Sequence, residues 1–396
     1  MRILMMHSRY QQRGGEDLCT LAETALLREG GHEVELVEYD NHQVVEIGKL
    51  RAGIRTIWSA PAVRDVRARL AGGEFDLLHV QNYLPLVSPA VLLAASRMGV
   101  PTVQALRNYR LTCANGLLFR DGSDCRRCLG SMVPWHGVRL GCYRDSRVQS
   151  GAIAAMIATH RLLGTWARHT DAFVATSEAV RRTYLEAHFP AERVHAKADI
   201  VYPGIRADMR ERRALFVGRL TPEKGVAELI AAWKGRFDDA QLTIVGTGPY
   251  ETQLIKAARG DPTITFRGER SHTEVMELMA RSRVVMVPST WEEPFGRIAT
   301  EAFSVATPVI ATAKGGLTDI VGGSGGGATY TPGDLTSLTG LIRRALDDQL
   351  WWDAASGFAL RAFETTYSQP AILARTEEIY AAAIARRHSL AGCVTR

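Results

Sequence analysis

Short apolar runs alternate with stretches of helical periodicity along most of this chain. Residues 2–7 form the first apolar run, an amphipathic stretch follows from about Asp17 to Glu29, and residues 32–38 form a second apolar run. Consecutive strands joined through a helix predict parallel pairing in a doubly wound sheet. The alternation restarts at about residue 214, so the pattern predicts an α/β protein with two such domains.

Composition narrows the class of protein. Hydrophobic residues make up 46% of the 396 residues and charged residues 23%, as in soluble globular proteins. No apolar run approaches the roughly 20 residues that cross a bilayer. Residues 1–7 have the pattern of a first strand and not of a signal peptide, so we expect a cytoplasmic protein.

The net charge of +6 is compatible with nucleic acid, an anionic membrane or an anionic substrate as a partner. The sequence has no zinc-finger, RRM-like or helix-turn-helix signature, so we expect no nucleic-acid partner. Arginines gather in residues 51–69 and 107–147. Two interpretations of these arginines stay open, a solvated basic face and a peripheral membrane contact.

One turn in the second half of the chain combines carboxylates with a helix start. The apolar run at residues 284–287 predicts a buried strand, and residues 288–296 form a turn with two prolines and a glycine before the next helix. Glu293 lies in this turn, and Glu301 lies about two helical turns further on. The N–H groups of residues 295–298 are unpaired at the helix start, where they attract anions such as a pyrophosphate. The alternative is a surface helix capped by acidic residues.

A second turn, within residues 214–225, offers cations. This segment predicts a strand, a turn through Gly218 and a helix from Val226, which would place Arg219 and Lys224 at the end of the strand. Two such cations can neutralise a diphosphate as its bond to a sugar breaks. Taken singly, an Arg and a Lys beside a turn are ordinary surface residues.

Together these motifs resemble glycosyltransferase family 4, the retaining, nucleotide-sugar-dependent enzymes of the GT-B fold. Two glutamates with seven residues between them, the first in E-x-F-G, resemble the donor signature of that family. The string G-R-L-x-x-E-K-G at residues 218–225 resembles its diphosphate-binding motif. The resemblance extends from Met1 to about Pro332. It implies two Rossmann-like domains that face each other across a central cleft, with a C-terminal helix that returns to the first domain.

The implied domain boundaries follow from a Pro-Gly linker at residues 203–204. The predicted acceptor-binding domain covers residues 1–203, with a Cys-containing insertion at about residues 107–147. A nucleotide-sugar-binding domain covers residues 204–372. Residues 373–396 form the returning helix.

The resemblance assigns most donor contacts to the second domain. Arg219 and Lys224 would hold the diphosphate, Glu301 the ribose hydroxyls and Glu293 the donor sugar. Gly14-Gly15 precedes a helix start, where the backbone can approach a phosphate closely, and in the family such a loop faces the donor phosphates and the acceptor. The predicted donor-binding residues are Gly15, Gly218, Arg219, Lys224, Arg267, Glu293, Phe295, Gly296, Arg297, Ile298 and Glu301.

The first domain departs from the family pattern where the acceptor is expected. Many family members carry His-x-His-Asn where residues 79–82 are His-Val-Gln-Asn, and His-Asn where this chain has Arg107-Asn108. The second of those histidines is the one usually assigned to the catalytic centre, and arginine cannot accept a proton in its place. We predict that Arg107 contacts the donor phosphate or an anionic acceptor. The predicted catalytic residues are Arg219, Lys224, Glu293 and Arg107, and the predicted acceptor-binding residues are Gly14, His79, Asn82 and Asn108.

Four cysteines lie in the predicted insertion. They are Cys113, Cys125, Cys128 and Cys142. The Cys-x-x-Cys pair has a common zinc-ligand spacing, four thiolates would complete a tetrahedral structural site, and disulfides are not expected in the cytoplasm. A structural zinc site and four free thiols both stay open.

The sequence therefore predicts a retaining hexosyltransferase that uses a nucleotide-diphosphate sugar, with a UDP-sugar favoured, and a hydroxyl-bearing acceptor. The acceptor is either an envelope glycan or glycolipid, or a small natural product. The sequence has no Asp-x-Asp metal motif where a GT-B enzyme would need one, so we expect catalysis without a metal cofactor. The alternative is a catalytically decayed or accessory sugar-nucleotide-binding protein, which would account for the missing histidines.

Overall fold

The computed structural model describes residues 1–11 and 14–394, with the backbone alone for residues 391–394. The chain divides into two compact units. Unit 1 comprises residues 1–120, 125–200 and the chain from residue 372 onward, and unit 2 comprises residues 121–124 and 201–371. The sequence places this division at residues 203–204 and the return at residue 373. Residues 395 and 396 of the predicted returning helix lie outside the described residues.

The elements alternate as the apolar pattern predicts. The strands are β1 (Arg2–Arg9), β2 (Glu33–Asp40), β3 (Leu77–Asn82), β4 (Thr102–Leu106), β5 (Phe119–Arg120), β6 (Ser123–Asp124), β7 (Ala172–Ala175), β8 (Val194–Ala196), β9 (Glu211–Val217), β10 (Gln241–Val245), β11 (Ile264–Phe266), β12 (Ser282–Val287), β13 (Val309–Thr312) and β14 (Gly327–Tyr330). The helices are α1 (Gly15–Glu29), α2 (Gln43–Ile47), α3 (Lys49–Ile57), α4 (Ala60–Gly72), α5 (Ala90–Arg97), α6 (Trp135–Arg139), α7 (Arg147–Leu162), α8 (Thr165–Arg168), α9 (Glu178–Glu186), α10 (Val226–Trp233), α11 (Glu251–Ala258), α12 (His272–Arg281), α13 (Arg297–Ser304), α14 (Leu335–Asp347), α15 (Gln349–Ala362) and α16 (Gln369–Val394).

The sheet of unit 1 is parallel, with the order β2-β1-β3-β4-β7-β8 in the described chain. Strands β3, β4 and β7 are buried along their whole length. In β3 this burial includes the polar side chains of His79, Gln81 and Asn82, which must find partners inside the unit. The strand order reverses between β1 and β3, which makes the carboxyl ends of these two strands the expected ligand edge.

The sheet of unit 2 is also parallel, with the order β11-β10-β9-β12-β13-β14 in the described chain. Its core is formed by apolar side chains of the strands together with α10 and α14, among them Phe216, Trp233, Ile244 and Ile342. The strand order reverses between β9 and β12. The predicted turn with Arg219 and Lys224 follows β9, and the predicted turn with Glu293 follows β12.

The C-terminal helix α16 returns to unit 1 from Ile372 onward. Its buried side chains Ile379 and Tyr380 share a core with Ile3 and Met5 of β1. This contact confirms the predicted return of the last helix to the first domain. None of the helices in the described part of the chain is long and apolar enough to cross a membrane.

Helix α3 and the residue that follows it carry large apolar side chains that face outward. The side chains of Ile54 and Trp58 are 57% and 37% exposed. The small residues Ala52 and Thr56, one helical turn apart, are buried instead on α3, which packs against α7. At Gly53 a Cβ would lie 3.9 Å from Ala152 Cβ of α7, so the two helices approach each other closely at a residue without a side chain.

Candidate active site

Two loops meet at the point where the strand order of unit 2 reverses. The loop after β9 contains Gly218, Arg219 and Lys224, and the loop after β12 contains residues 288–296. In an open parallel sheet the connections on either side of a reversal leave in opposite directions, which creates a crevice at the carboxyl ends of the strands. The two motifs that the sequence predicts to bind a diphosphate and a sugar therefore border the same crevice of the unit 2 sheet.

Close backbone contacts fix these loops against each other. Gly225 has φ +68°, and a Cβ at this position would lie 1.8 Å from the carbonyl oxygen of Pro288. Thr290 N–H donates to the carbonyl oxygen of Glu223 over 2.8 Å. Gly315, with φ +52°, approaches the other side of the turn, where a Cβ would lie 2.3 Å from the carbonyl oxygen of Glu293. Only glycine fits at residues 225 and 315, because each combines a left-handed conformation with backbone contact.

The side chains of Lys224 and Glu293 form the centre of this site. Lys224 Nζ lies 2.9 Å from each carboxylate oxygen of Glu293. The Ser289 hydroxyl donates to Glu293 Oε2 over 2.7 Å, and the ammonium lies 5.6 Å from the centre of the Trp291 ring. The Lys224 and Glu293 side chains are 24% and 16% exposed, so both remain open to solvent. The pair offers a cation for a phosphate and a carboxylate that can accept from sugar hydroxyls.

Helix α13 begins beside this pair. Phe295 and Gly296 are buried before its first turn, and a Cβ on Gly296 would lie 2.6 Å from Leu317 Cδ2. Glu301, at 4% exposure, accepts from Arg297 Nε over 2.8 Å. The carboxylate oxygens of Glu301 can also accept a hydrogen bond from a ligand hydroxyl.

The other predicted donor residues of unit 2 are spread along the same edge of the sheet. Arg219 is exposed directly after β9, and Ile298 is partly buried in the first turn of α13. Arg267 is exposed after β11, two strands from β9 in the sheet order. The structure thus brings Arg219, Lys224 and Glu293 to neighbouring strand ends, while Arg267 lies further along the edge.

In unit 1 the loop after β1 is held by Asp17. Its carboxylate accepts from Gly14 N–H over 2.8 Å and from Tyr10 N–H over 3.2 Å. His7 Nε2 lies 2.7 Å from the same carboxylate in a buried setting. The Gly14 N–H named from the sequence therefore already has an internal acceptor, and Gly15 is the first residue of α1.

Asn82 and Asn108 tie neighbouring strand ends together. Asn82 Nδ2 donates to the carbonyl oxygen of Ser8 over 2.7 Å, which joins the end of β3 to the end of β1. Asn108 Nδ2 donates to Glu16 Oε1 over 2.6 Å. Residues Gly14, Gly15, Asn82 and Asn108 thus lie at the carboxyl edge of the unit 1 sheet, as expected for a ligand edge.

Arg107 belongs to a buried network of charges in unit 1. Its Nη2 donates to Glu23 Oε2 over 2.8 Å, its Nε donates to Gln81 Oε1 over 3.1 Å, and its Nη1 contacts Asp199. Lys197 Nζ donates to the other oxygen of Glu23 over 2.6 Å. The Arg107, Glu23 and Lys197 side chains are at most 7% exposed. The guanidinium is held by internal partners, and its contact with a phosphate or an acceptor stays a prediction.

The network shifts the protonation of its members. Burial alone would raise the pKa of the Glu23 carboxyl, but Lys197, His79 and Arg107 outweigh it and hold that pKa well below its ordinary value. Burial lowers the pKa of His79 to about 4, and the charge of Glu23 only partly opposes this. His79 is fully buried, with Nδ1 2.7 Å from the Tyr380 hydroxyl of α16. It is therefore neutral at pH 7.

Sequence reasoning missed several of these partners. Glu23 and Lys197 are separated by 174 positions, so no local spacing could have paired them. Ser289 and Trp291 lie within the predicted turn at residues 288–296. Their closeness to Glu293 in the sequence was therefore a signal that could have identified them as candidate site residues. A local sequence motif identifies residues at the end of one strand. The Arg107 network joins side chains from α1, β3, the end of β4 and the chain after β8, so it can be recognised only when the fold is known.

Family comparison covers both units. Residues 14–198 match the glycosyl transferase 4-like domain, and residues 203–359 match the family of glycosyl transferases group 1. The uncharacterised glycosyltransferase MJ1607 of Methanocaldococcus jannaschii is 30% identical over 402 residues, covering 96% of this chain and 98% of that protein. Glycogen synthase of Mycobacterium tuberculosis is 28% identical over 264 residues, which are 63% of this chain and span 62% of that enzyme's length.

Solved structures share the fold. Anabaena Alr3699/HepE in complex with UDP-glucose has a TM-score of 0.64 at 18% identity, covering 96% of this chain and 98% of that one. Sucrose-phosphate synthase from Thermosynechococcus elongatus has a TM-score of 0.66 at 18% identity, covering 97% and 99%. The full-length relative and the matches to both halves of the chain establish the class. This chain belongs to the glycosyltransferases, and its fold is GT-B.

Proposed function

We propose that this glycosyltransferase transfers a hexosyl unit from a UDP-sugar to a hydroxyl of its acceptor with retention of the anomeric configuration. The observation that carries the proposal is the Lys224–Glu293 pair, 2.9 Å apart at the crevice where the unit 2 sheet reverses its strand order. UDP as the nucleotide is supported by the related fold of Alr3699/HepE, whose structure contains UDP-glucose. The alternative of an accessory protein gains no support from the comparisons.

In this proposal Arg219 and Lys224 hold the diphosphate. When the anionic donor binds, Lys224 shifts part of its interaction from Glu293 to phosphate oxygens, and Glu293 becomes free to accept from hydroxyls of the sugar. Backbone groups of Phe295 and Gly296 complete the sugar contacts. Glu301, held by Arg297, accepts from the ribose hydroxyls.

The proposed reaction forms one bond and breaks one. The acceptor oxygen bonds to the anomeric carbon on the face from which the diphosphate leaves, the bond between that carbon and the phosphate oxygen breaks, and the acceptor proton passes to the leaving phosphate. Arg219 and Lys224 neutralise the charge that develops on this phosphate, and the reaction proceeds without a metal. Activity that disappears in EDTA while the protein stays folded would argue against a metal-free reaction.

We assign acceptor binding to the edge of unit 1 that carries Gly14, His79, Asn82 and Asn108. Because His79 is buried against Tyr380, its role would be to support the other residues of this edge from the interior of unit 1. Arg107 would add positive charge for the donor phosphate or an anionic acceptor. An Arg107→Ala variant with the rate and KM of the wild type would remove that role.

An envelope glycan or glycolipid and a small natural product are the two acceptor classes that we propose. Helix α3 favours a membrane-borne acceptor, since Leu50 and Ile54 are 80% and 57% exposed on it, beside Arg51 and Arg55. Exposed apolar side chains next to arginines suit the surface of an anionic membrane. Flotation with vesicles containing phosphatidylglycerol tests this contact, and a Leu50→Ser/Ile54→Ser variant should float less.

The deciding experiment measures donor binding and donor turnover together. Wild type and Lys224→Ala are mixed with UDP-, GDP-, ADP- and TDP-sugars, and the melting temperature is recorded, because a ligand that binds only the folded state raises it. We expect one UDP-sugar to stabilise the wild type and not the variant. Nuclear magnetic resonance of the product then gives its anomeric configuration. Stabilisation by a nucleotide sugar other than a UDP-sugar, or an inverted product, would overturn the corresponding part of the proposal.

A further inference from the structure

The four cysteines of the segment between β4 and α7 gather around one small cavity in unit 1. Cys113, Cys125, Cys128 and Cys142 all line it, together with His136. The cavity has a volume of about 20 Å³, enough for one water molecule or one ion. All four cysteines are free thiols, and Cys113 and Cys128 are only 9% and 8% exposed. The sequence named all four cysteines, but only the Cys-x-x-Cys pair has a standard zinc-ligand spacing. The fold brings all four to one cavity.

The surrounding segment has little regular secondary structure. Between Cys113 and Cys142 the described regular elements are the two-residue strands β5 and β6 and the five-residue helix α6. Several of its large apolar side chains face outward, with Trp135 at 70% and Met132 at 52% exposure. A segment of this kind commonly gains stability from a metal or from disulfides.

One cationic donor already lies beside a sulfur atom of the cluster. Arg120 Nη1 lies 3.2 Å from Cys142 Sγ. Hydrogen bonds to sulfur favour the thiolate form, which is the form that binds metals.

We propose that Cys113, Cys125, Cys128 and Cys142 bind one Zn²⁺ in a tetrahedral, purely structural site. Binding breaks four S–H bonds, releases four protons to solvent and forms four Zn–S bonds, with no change of oxidation state. Among the described residues no three such side chains already stand in ligating geometry, since Cys113 Sγ donates to Asn115 Oδ1 over 2.9 Å and Cys142 Sγ contacts Arg120. To bind zinc, these two cysteines would exchange their present contacts with Asn115 and Arg120 for the metal.

This site would lie on the acceptor side of the protein. The segment starts a few residues after Asn108, and Gly130 N–H donates to Thr112 Oγ1 over 3.3 Å, which connects its middle to its start. Zinc would stabilise this loop in the same way as in other metal-held segments, where metal affinity is folding free energy. The zinc content of the protein tests this site independently of the proposed donor and acceptor.

The test is metal analysis of the full chain, expressed without a polyhistidine tag and purified with a reductant. We expect about one zinc per chain, as a closed tetrathiolate site requires. Replacement of the zinc by Co²⁺ should give the intense visible bands of tetrahedral thiolate coordination. Absence of zinc, or mass spectrometry that finds disulfides among the four cysteines, would overturn the proposal.

Two pairs of variants separate this site from adventitious binding. Cys125→Ser and Cys142→Ser should each lose the bound zinc, whereas Cys19→Ser, which alters a buried thiol outside the cluster, should keep it. His136→Asn should also keep its zinc, because the site needs no histidine. Zinc retained by both cluster variants, or lost in His136→Asn, would contradict the four-cysteine assignment. If a cluster variant fails to fold, the wild-type zinc content and cobalt spectrum still decide.

Discussion

Both units of this glycosyltransferase pair a lysine with a glutamate, but they do so at opposite levels of solvent exposure. In unit 1 Lys197 and Glu23 are each 2% exposed, and Arg107 joins them from the end of β4. In unit 2 Lys224 and Glu293 are 24% and 16% exposed at the strand ends. The first pair is sealed by its partners, whereas the second can exchange a partner for a ligand.

The difference shows why an ion pair alone does not identify a binding site. A buried charge that loses its partner is left without solvation, so a sealed network resists rearrangement. A partly exposed pair loses little when one member turns to a phosphate, because water and the ligand replace the lost contact. The pair in unit 1 should therefore matter most for folding, and the pair in unit 2 for catalysis.

The largest effect is expected from breaking the sealed network. Replacing Glu23 with Ala should lower the free energy of unfolding by about 3–5 kcal/mol, because Lys197 loses its carboxylate inside the protein. Urea unfolding followed by circular dichroism measures this loss. Glu33→Ala removes an exposed pair with Arg2 and should change stability by about 1 kcal/mol or less. Equal losses for the two variants would show that burial does not distinguish them.

The next effect concerns the exposed pair and appears in catalysis. Lys224→Ala should lower kcat/KM on the order of a hundredfold, which corresponds to about 2.7 kcal/mol of transition-state stabilisation. The loss in kcat/KM is measured as turnover of the nucleotide sugar that stabilises the wild type in the melting-temperature experiment. Lys256→Ala, on an exposed face of α11, serves as the matched control and should retain the wild-type rate. Full activity in Lys224→Ala would remove its assignment to the diphosphate.

A smaller effect should follow from acid. The pKa of His79 in the folded chain is about 4, below its ordinary value of 6.5, so the unfolded state binds the proton first. Its contribution to stability is present above pH 6.5 and is lost as the pH falls towards 4. Between pH 7 and 5 this loss should amount to about 2 kcal/mol.

Other histidines contribute to this acid response. Burial also lowers the pKa of His160 to about 4 and lowers the pKa of His169 and of His195, so the wild type carries contributions from all of them. His79→Gln should remove one of them, and urea unfolding at pH 7, 6 and 5 should show a flatter dependence in the variant than in the wild type. If the free energy of unfolding depends on pH equally in the variant and the wild type, His79 has the same pKa in the folded and the unfolded state.

The same contrast explains how far the sequence could go. The two parallel sheets and the returning helix follow from the alternation of strands and helices and from the family resemblance, and the structure confirms them. Gly218–Lys224 and the turn around Glu293 could be named because each motif lies on one strand end, so its spacing in sequence is its spacing in space. Their roles towards a donor stay predictions.

Other features had no local signal. Helix α3 places Gly53 close to Ala152 of α7 and leaves Ile54 exposed, and only the packing of the two helices shows this orientation. The partners of Arg107 come from α1, β3 and the chain after β8, and only the fold brings them within hydrogen-bonding distance. An arginine in the position of a family histidine looked available for a ligand, because its partners are remote in sequence.

The smallest effect should be the contribution of the exposed pair to folding. Lys224→Ala and Glu293→Gln should each lower the free energy of unfolding by about 1 kcal/mol or less, and a double-mutant cycle should give a coupling of the same size, since solvent screens both groups. Urea unfolding of the wild type, both single variants and the double variant measures it. A coupling of several kcal/mol would mean that this pair holds the fold as the Glu23 network does. The loss of activity in Lys224→Ala would then reflect a disturbed loop, because the cation could not be freed for a phosphate without weakening the unit that carries it.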